Sequence, residues 1–189
     1  MQPIAGPTFS HCGIFVTDLD RMLGFYTRYL GFVVTDRGRV AGAEFAFLTR
    51  DPREHHQIVM STGRVQGAQN TIQQLSFRVE SLAYMRKLYA QVRTAGDLVT
   101  LEGPALGPMS HTVALSVYFG DPDGNRVELF VDSPWYITQP TREPLDLTLP
   151  DEQLWAGIEA FARQQPGFRS RSDWSAELAR KIAAAEPVN

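Results

Sequence analysis

Residues His11–Gly31 read HCGIFVTDLDRMLGFYTRYLG, and Gln74–Thr94 read QLSFRVESLAYMRKLYAQVRT. Sliding the chain by 63 positions, from His11 to Gln74, lines the two up. Ile14 falls on Phe77, Val16 on Val79, Leu19 on Leu82, Met22 on Met85 and Tyr26 on Tyr89. Each segment opens with apolar residues at every second position, which predicts a strand with one buried face (Cys12, Ile14 and Val16; Leu75, Phe77 and Val79). Each continues with apolar residues three or four apart, which predicts a helix: Leu19, Met22, Leu23, Tyr26 and Leu30, then Leu82, Met85, Leu88, Tyr89 and Val92. Thr17 and Ser81 stand where N-caps belong, and Gly31 and Gly96 follow as stop signals.

Working outward, three strand candidates follow the first helix, at Phe32–Arg37, Ala43–Thr49 and His56–Ser61. Three follow the second, at Leu98–Leu101, Ala114–Gly120 and Arg126–Val131. The run Asp121-Pro122-Asp123-Gly124-Asn125 is turn chemistry and joins the last two as a hairpin. The pattern is strand–helix–three strands, written twice, with a Gly- and Asn-containing link at Val65–Asn70. The expected fold class is α+β, with module one at about 8–64 and module two at about 71–135 in one domain, 1–135. Residues 136–189 belong to neither copy. Pro140, Pro144 and Pro150 mark an irregular crossing segment, and helices are expected at Glu152–Gln164 and Ser172–Ala185. Trp155, Trp174 and a row of leucines make this extension a packing element on the body or on a neighbouring chain, and it carries none of the candidate ligands.

Composition narrows the function. Of 189 residues, 43% are hydrophobic and 21% charged, ordinary globular usage that argues against wholesale disorder. A net charge of −3 provides no basic field for nucleic acid or an anionic membrane. No apolar run reaches membrane-spanning length. The N-terminal stretch has neither a basic region nor a long apolar one, so a cytoplasmic protein is expected. The single cysteine, Cys12, excludes an internal disulfide and a Cys-based zinc cluster.

The segments SHCGIFVTDLDRMLGFYTRYLGF and SVYFGDPDGNRVELFVD resemble the vicinal oxygen chelate superfamily, which includes glyoxalase I, bleomycin- and fosfomycin-resistance proteins and type I extradiol dioxygenases. The resemblance implies two βαβββ modules pairing into a U-shaped mixed sheet around a metal site. It implies metal ligands at His11 and Gln74, from the first strand of each module, and at Glu128, from the last strand of module two. Gln74 stands where a dioxygenase has a second histidine, although glyoxalase-type sites do use glutamine. The implied metal is divalent, Fe(II) first, with Mn(II), Ni(II) or Zn(II) as alternatives. An unpaired buried carboxylate is costly, so Glu128 within an apolar strand points to a cationic partner independently of the resemblance.

Three further residues are candidates for catalysis. His56 sits near the start of the last strand of module one, in what reads as the register of Glu128. His111 and Tyr118 precede Glu128 at spacings that resemble the substrate-facing histidine and tyrosine of extradiol dioxygenases. Strand alternation puts Ser116 and Tyr118 on one face, and Arg126, Glu128 and Phe130 on one face, so both sets can look into one cavity. The reaction implied is ring cleavage of a catechol by O₂, with a small aromatic substrate and a homo-oligomeric assembly. A glyoxalase-like metal-dependent isomerase or lyase and a non-catalytic, bleomycin-resistance-like small-molecule binding protein are the alternatives.

Overall fold

The computed structural model describes residues 7–103 and 105–184. Module one consists of β1 (Cys12–Val16), α1 (Leu19–Leu30), β2 (Val33–Val40), β3 (Ala43–Thr49) and β4 (Ile58–Thr62). Its sheet runs β1-β4-β3-β2, with β1 parallel to β4 and the other pairs antiparallel. Module two consists of β5 (Leu75–Arg78), α2 (Leu82–Val92), β6 (Gly107–Ser110), β7 (Ala114–Gly120) and β8 (Arg126–Asp132). The extension adds β9 (Trp135–Tyr136), β10 (Glu143–Pro144), α3 (Asp151–Ala162), β11 (Arg169–Ser170) and α4 (Arg171–Ala183). β10 joins the second sheet, giving the order β10-β6-β7-β8-β5.

The repeat is therefore real, and each copy hydrogen-bonds its own sheet. The continuous U-shaped sheet expected from the sequence is realised as two sheets. Their edge strands β1 and β5 border a cleft of about 650 Å³, lined by Ser10 and Cys12 on one side and by Gln74, Leu75, Ser76 and Phe77 on the other.

One apolar cluster runs through both modules. Ile14, Val16, Ala46, Leu48, Ile58 and Met60 supply the inner face of the first sheet, and Leu75, Val117, Phe119, Val127 and Leu129 that of the second. The helix α1 packs on the first sheet and against α2, burying Leu19, Met22, Leu23, Phe25, Tyr26, Tyr29 and Leu30. Each such side chain contributes roughly 1.5–3 kcal/mol by leaving water. Phe25 meets Phe119 edge-on at 6.2 Å, and the Tyr26 hydroxyl donates to Asp121 at 3.0 Å, so the helix of one module is tied to the hairpin of the other. That hairpin is held by Asp121, which accepts from the Asn125 amide at 2.8 Å and from the Asp123 amide at 3.0 Å.

Two local expectations are corrected. The N-cap of α1 is Asp18, whose carboxylate accepts from the Arg21 amide. Thr17 instead donates its amide and hydroxyl to Asp123 across the module boundary. The strand expected at Leu98–Leu101 shrinks to a single bridge, Thr100 to Gly120. Gly103, at φ 144°, turns the chain away, and pairing with β7 resumes at Gly107–Ser110, where Gly-Pro had disguised a strand.

Candidate functional site

The outer face of the second sheet carries the candidate site. Parallel register sets Ser76 of β5 opposite Glu128 of β8, and antiparallel register sets Tyr118 of β7 opposite the same residue. Alternation then directs Gln74, Ser76, Ser116, Tyr118, Arg126, Glu128 and Phe130 away from the core. Apart from Ser116, these residues line a cavity of about 610 Å³ together with His111, Gln139 and Arg142.

Glu128 is 7% exposed and forms no ion pair among the described residues. Both carboxylate oxygens are filled by neutral donors. Oε1 accepts from Ser116 Oγ at 2.6 Å and from the Tyr118 hydroxyl at 2.5 Å. Oε2 accepts from Ser76 Oγ at 2.5 Å and from Gln74 Nε2 at 2.8 Å. Two acceptor sites on each oxygen are thus satisfied. The Gln74 amide is oriented by its other end, because its Oε1 accepts from Arg126 Nη2 at 2.9 Å.

His111 continues the chain of contacts. Its Nδ1 lies 2.6 Å from the Thr141 carbonyl, which can only accept, so Nδ1 carries a hydrogen. Its Nε2 lies 2.8 Å from the Tyr118 oxygen. The phenol has a single proton, and a neutral His111 would leave Nε2 and Glu128 competing for it. His111 Nε2 and Glu128 Oε1 thus meet at the one phenol oxygen. Burial, followed by the hydrogen bond to Glu128 and its charge, holds the Tyr118 phenol well above its usual range, so it stays protonated. The result is a continuous path for a proton from the cavity wall to a buried carboxylate.

The extension takes part directly, which the sequence did not disclose. The Thr141 carbonyl orients His111, Gln139 Nε2 donates to the His111 carbonyl at 3.0 Å, and Arg142 walls the cavity. Arg126, also unselected from sequence, lies 5.3 Å from the Tyr118 ring centre. Its position two residues before Glu128 on the same strand face was the available signal.

His11 and His56 lie elsewhere. Neither lines the cavity; their rings sit 4.2 Å apart, with His56 also against Phe47 at 5.2 Å. His55 Nε2 pairs with Asp36 at 2.6 Å, and its Nδ1 lies 2.8 Å from His56 Nδ1. Partial burial, then the neighbouring His11 and His55, hold His56 below its usual range. The register expectation for His56 is corrected. Gly13 opposes Val59 just as Ser76, its repeat mate, opposes Glu128. Val59, three residues beyond His56, is the counterpart of Glu128.

These placements test the expected metal. Glu128 suits one chemically, as a buried carboxylate without a cation. As a set the residues do not fit: Gln74 turns its amide nitrogen to Glu128, His11 stands outside the cavity, and no three His, Cys, Asp or Glu among the described residues converge on a metal position.

No helix among the described residues is long and apolar enough to cross a membrane. No curated protein matches the chain. Among solved structures, a glyoxylase/bleomycin resistance protein/dioxygenase domain from Frankia sp. EAN1pec is 25% identical, with a TM-score of 0.53 over 67% of this chain and 98% of that one. The fosfomycin resistance protein FosX from Listeria monocytogenes, solved with Mn(II) and sulfate, is 17% identical, with a TM-score of 0.50 over 69% of this chain and 94% of its own, a likeness of fold. The family model described as Glyoxalase/Bleomycin resistance protein/Dioxygenase superfamily matches residues 8–129. With the paired βαβββ modules in place, the chain belongs to the glyoxalase/bleomycin resistance/dioxygenase superfamily, the vicinal oxygen chelate fold.

Proposed function

We propose that the cavity over Glu128 is the substrate site of an enzyme that takes a compact hydroxylated aromatic molecule and moves a proton on its hydroxyl group. The observation that carries this reading is the chain from His111 through Tyr118 to Glu128 on the wall of a cavity of about 610 Å³, a size suited to a small ligand. His111 Nε2 and the Tyr118 oxygen are the groups that meet a substrate hydroxyl. Glu128 holds the charge balance of the chain, and Phe130 gives the ring an apolar surface. A positioned acid–base group of this kind is worth typically 10²–10⁴-fold in rate.

The reaction we assign is ring cleavage of a catechol, with both atoms of O₂ entering the ring-opened product. His111 and Tyr118 supply its proton steps. Such cleavage calls on a divalent metal, Fe(II) in this reading, which when bound would bring the catechol oxygens and O₂ together. The resemblance implies Glu128, Gln74 and His11 as its ligands, and the three do not gather as a set here. A non-catalytic binding protein that needs no metal is the second reading, favoured by the four neutral donors that already satisfy Glu128.

Protein purified without air, stripped, and reloaded with Fe(II), Mn(II), Ni(II) or Zn(II) in turn separates the readings in an oxygen electrode with a panel of catechols. Equimolar loss of O₂ and catechol with Fe(II) is expected. Catechol binding without O₂ uptake under any metal removes the dioxygenase assignment and leaves the metal-free reading.

A further inference from the structure

Resting on the reading of the Glu128 cavity as a substrate site, we propose that its substrate carries a carboxylate, held by Arg126 and Arg142. Both guanidiniums line the cavity, and neither forms an ion pair among the described residues. The contrast with nearby arginines is direct: Arg78 and Arg171 each reach Asp132 at 2.8 Å. Arg126 has one acceptor, the neutral Gln74 oxygen, and its Nε is buried without any partner. Its charge is therefore set into the wall of the site and left without a counter-charge.

Glu128 does not supply that counter-charge. The two lie two residues apart on one face of β8, yet they form no ion pair. Gln74 stands between them, taking a hydrogen bond from Arg126 and giving one to Glu128. Tyr118 does the same on the other side, with its ring beside Arg126 and its hydroxyl on Glu128. The cavity therefore brings the hydroxyl-handling groups His111 and Tyr118 together with two cations that have no acidic partner among the described residues, and with the amides of Gln73 and Gln139 on the same lining. Guanidinium groups bind carboxylates through paired, charge-assisted hydrogen bonds, stronger than neutral ones. An aromatic acid, with hydroxyls for His111 and Tyr118 and a carboxylate for the arginines, matches this lining, and a neutral catechol leaves both cations unpaired.

Isothermal titration of the full chain with three ligands tests this: dihydrocaffeate, with hydroxyls and a carboxylate; ethylcatechol, with hydroxyls alone; and phenylpropionate, with a carboxylate alone. Dihydrocaffeate is expected to bind at least about tenfold more tightly than ethylcatechol, a gap that rising salt narrows. Arg142→Met, an exposed position that leaves the core untouched, should close much of the gap, and Arg126→Met more of it. Arg126→Lys should retain part, since the charge stays and the fork is lost. Equal affinities for dihydrocaffeate and ethylcatechol in the parent protein, or a gap unchanged in both methionine variants, overturn the proposal while leaving the catechol site standing. Phenylpropionate bound as tightly as dihydrocaffeate, with ethylcatechol unbound, supports the carboxylate site and instead removes the hydroxyl-handling reading.

Discussion

Tyr118 connects the two ends of the proton path, since its hydroxyl meets both His111 and Glu128. Tyr118→Phe keeps the ring and deletes the path. Turnover should fall by about 10²–10⁴-fold. Stability should drop by about 1–3 kcal/mol, the range for leaving a buried partner short of a hydrogen bond. Steady-state kinetics and urea denaturation report the two effects separately, and unchanged turnover would reassign Tyr118 to packing. The phenols also set an alkaline limit. Tyr26 and Tyr118 are both held above the ordinary tyrosine range, chiefly by burial. A raised folded-state value means that the unfolded chain loses its protons first. Their stabilisation is complete below about pH 10 and is lost as pH rises beyond it. Urea midpoints should fall as pH rises above about 10, less steeply in Tyr26→Phe. At this scale the shared cavity-facing side of Tyr118 and Glu128 was readable because period-two alternation on β7 and β8 decides which side chains share a face, whereas His111, in the β6–β7 turn, came only from the family resemblance. His56 was misread because the β3–β4 connection, 50–57, is longer than the β7–β8 connection, 121–125, so a fixed repeat offset cannot carry the register through it.

Among the elements, the segment between β9 and α3 carries the most consequence for the site. Gln139 donates to the His111 carbonyl of module two, and within its own segment accepts from the Thr141 amide at 3.1 Å. Thr141 in turn fixes the His111 ring. Gln139→Ala loosens this support without touching the core. It is expected to lower turnover by about tenfold with little change in melting temperature, since surface changes usually cost within about 0.5 kcal/mol. A melting temperature that falls while turnover holds would make the segment a stabiliser only. Proline-rich sequence predicted an irregular crossing here, and that much was correct. Its role at the site was not readable, because main-chain carbonyls such as that of Thr141 leave no mark in side-chain identity. The β6 strand was missed for a related reason: its pairing with β7 is main-chain hydrogen bonding, and Gly107-Pro108 gives no strand pattern.

Across the whole molecule, α1 joins the two repeats into one cooperative body. Phe25 is fully buried between Tyr26, Tyr29 and Phe119, and the last of these belongs to the other module. Phe25→Ala should cost about 3–5 kcal/mol and lower a single unfolding transition. Two separate transitions would mean that the modules melt independently. The internal repeat made the paired modules legible, because each copy writes the same apolar periodicities. The sequence could not reveal that β1 and β5 border a cleft, which sets His11 apart from Glu128 and divides the expected ligand set between two places. That division gives the central claim, that the functional site is the Glu128 cavity of module two. The most direct measurement is a crystal structure with dihydrocaffeate bound. Density is expected in the cavity, with a ring hydroxyl within hydrogen-bonding reach of Tyr118 or His111. Density at the His11–His56 pair instead, with the cavity holding only water, would contradict the claim.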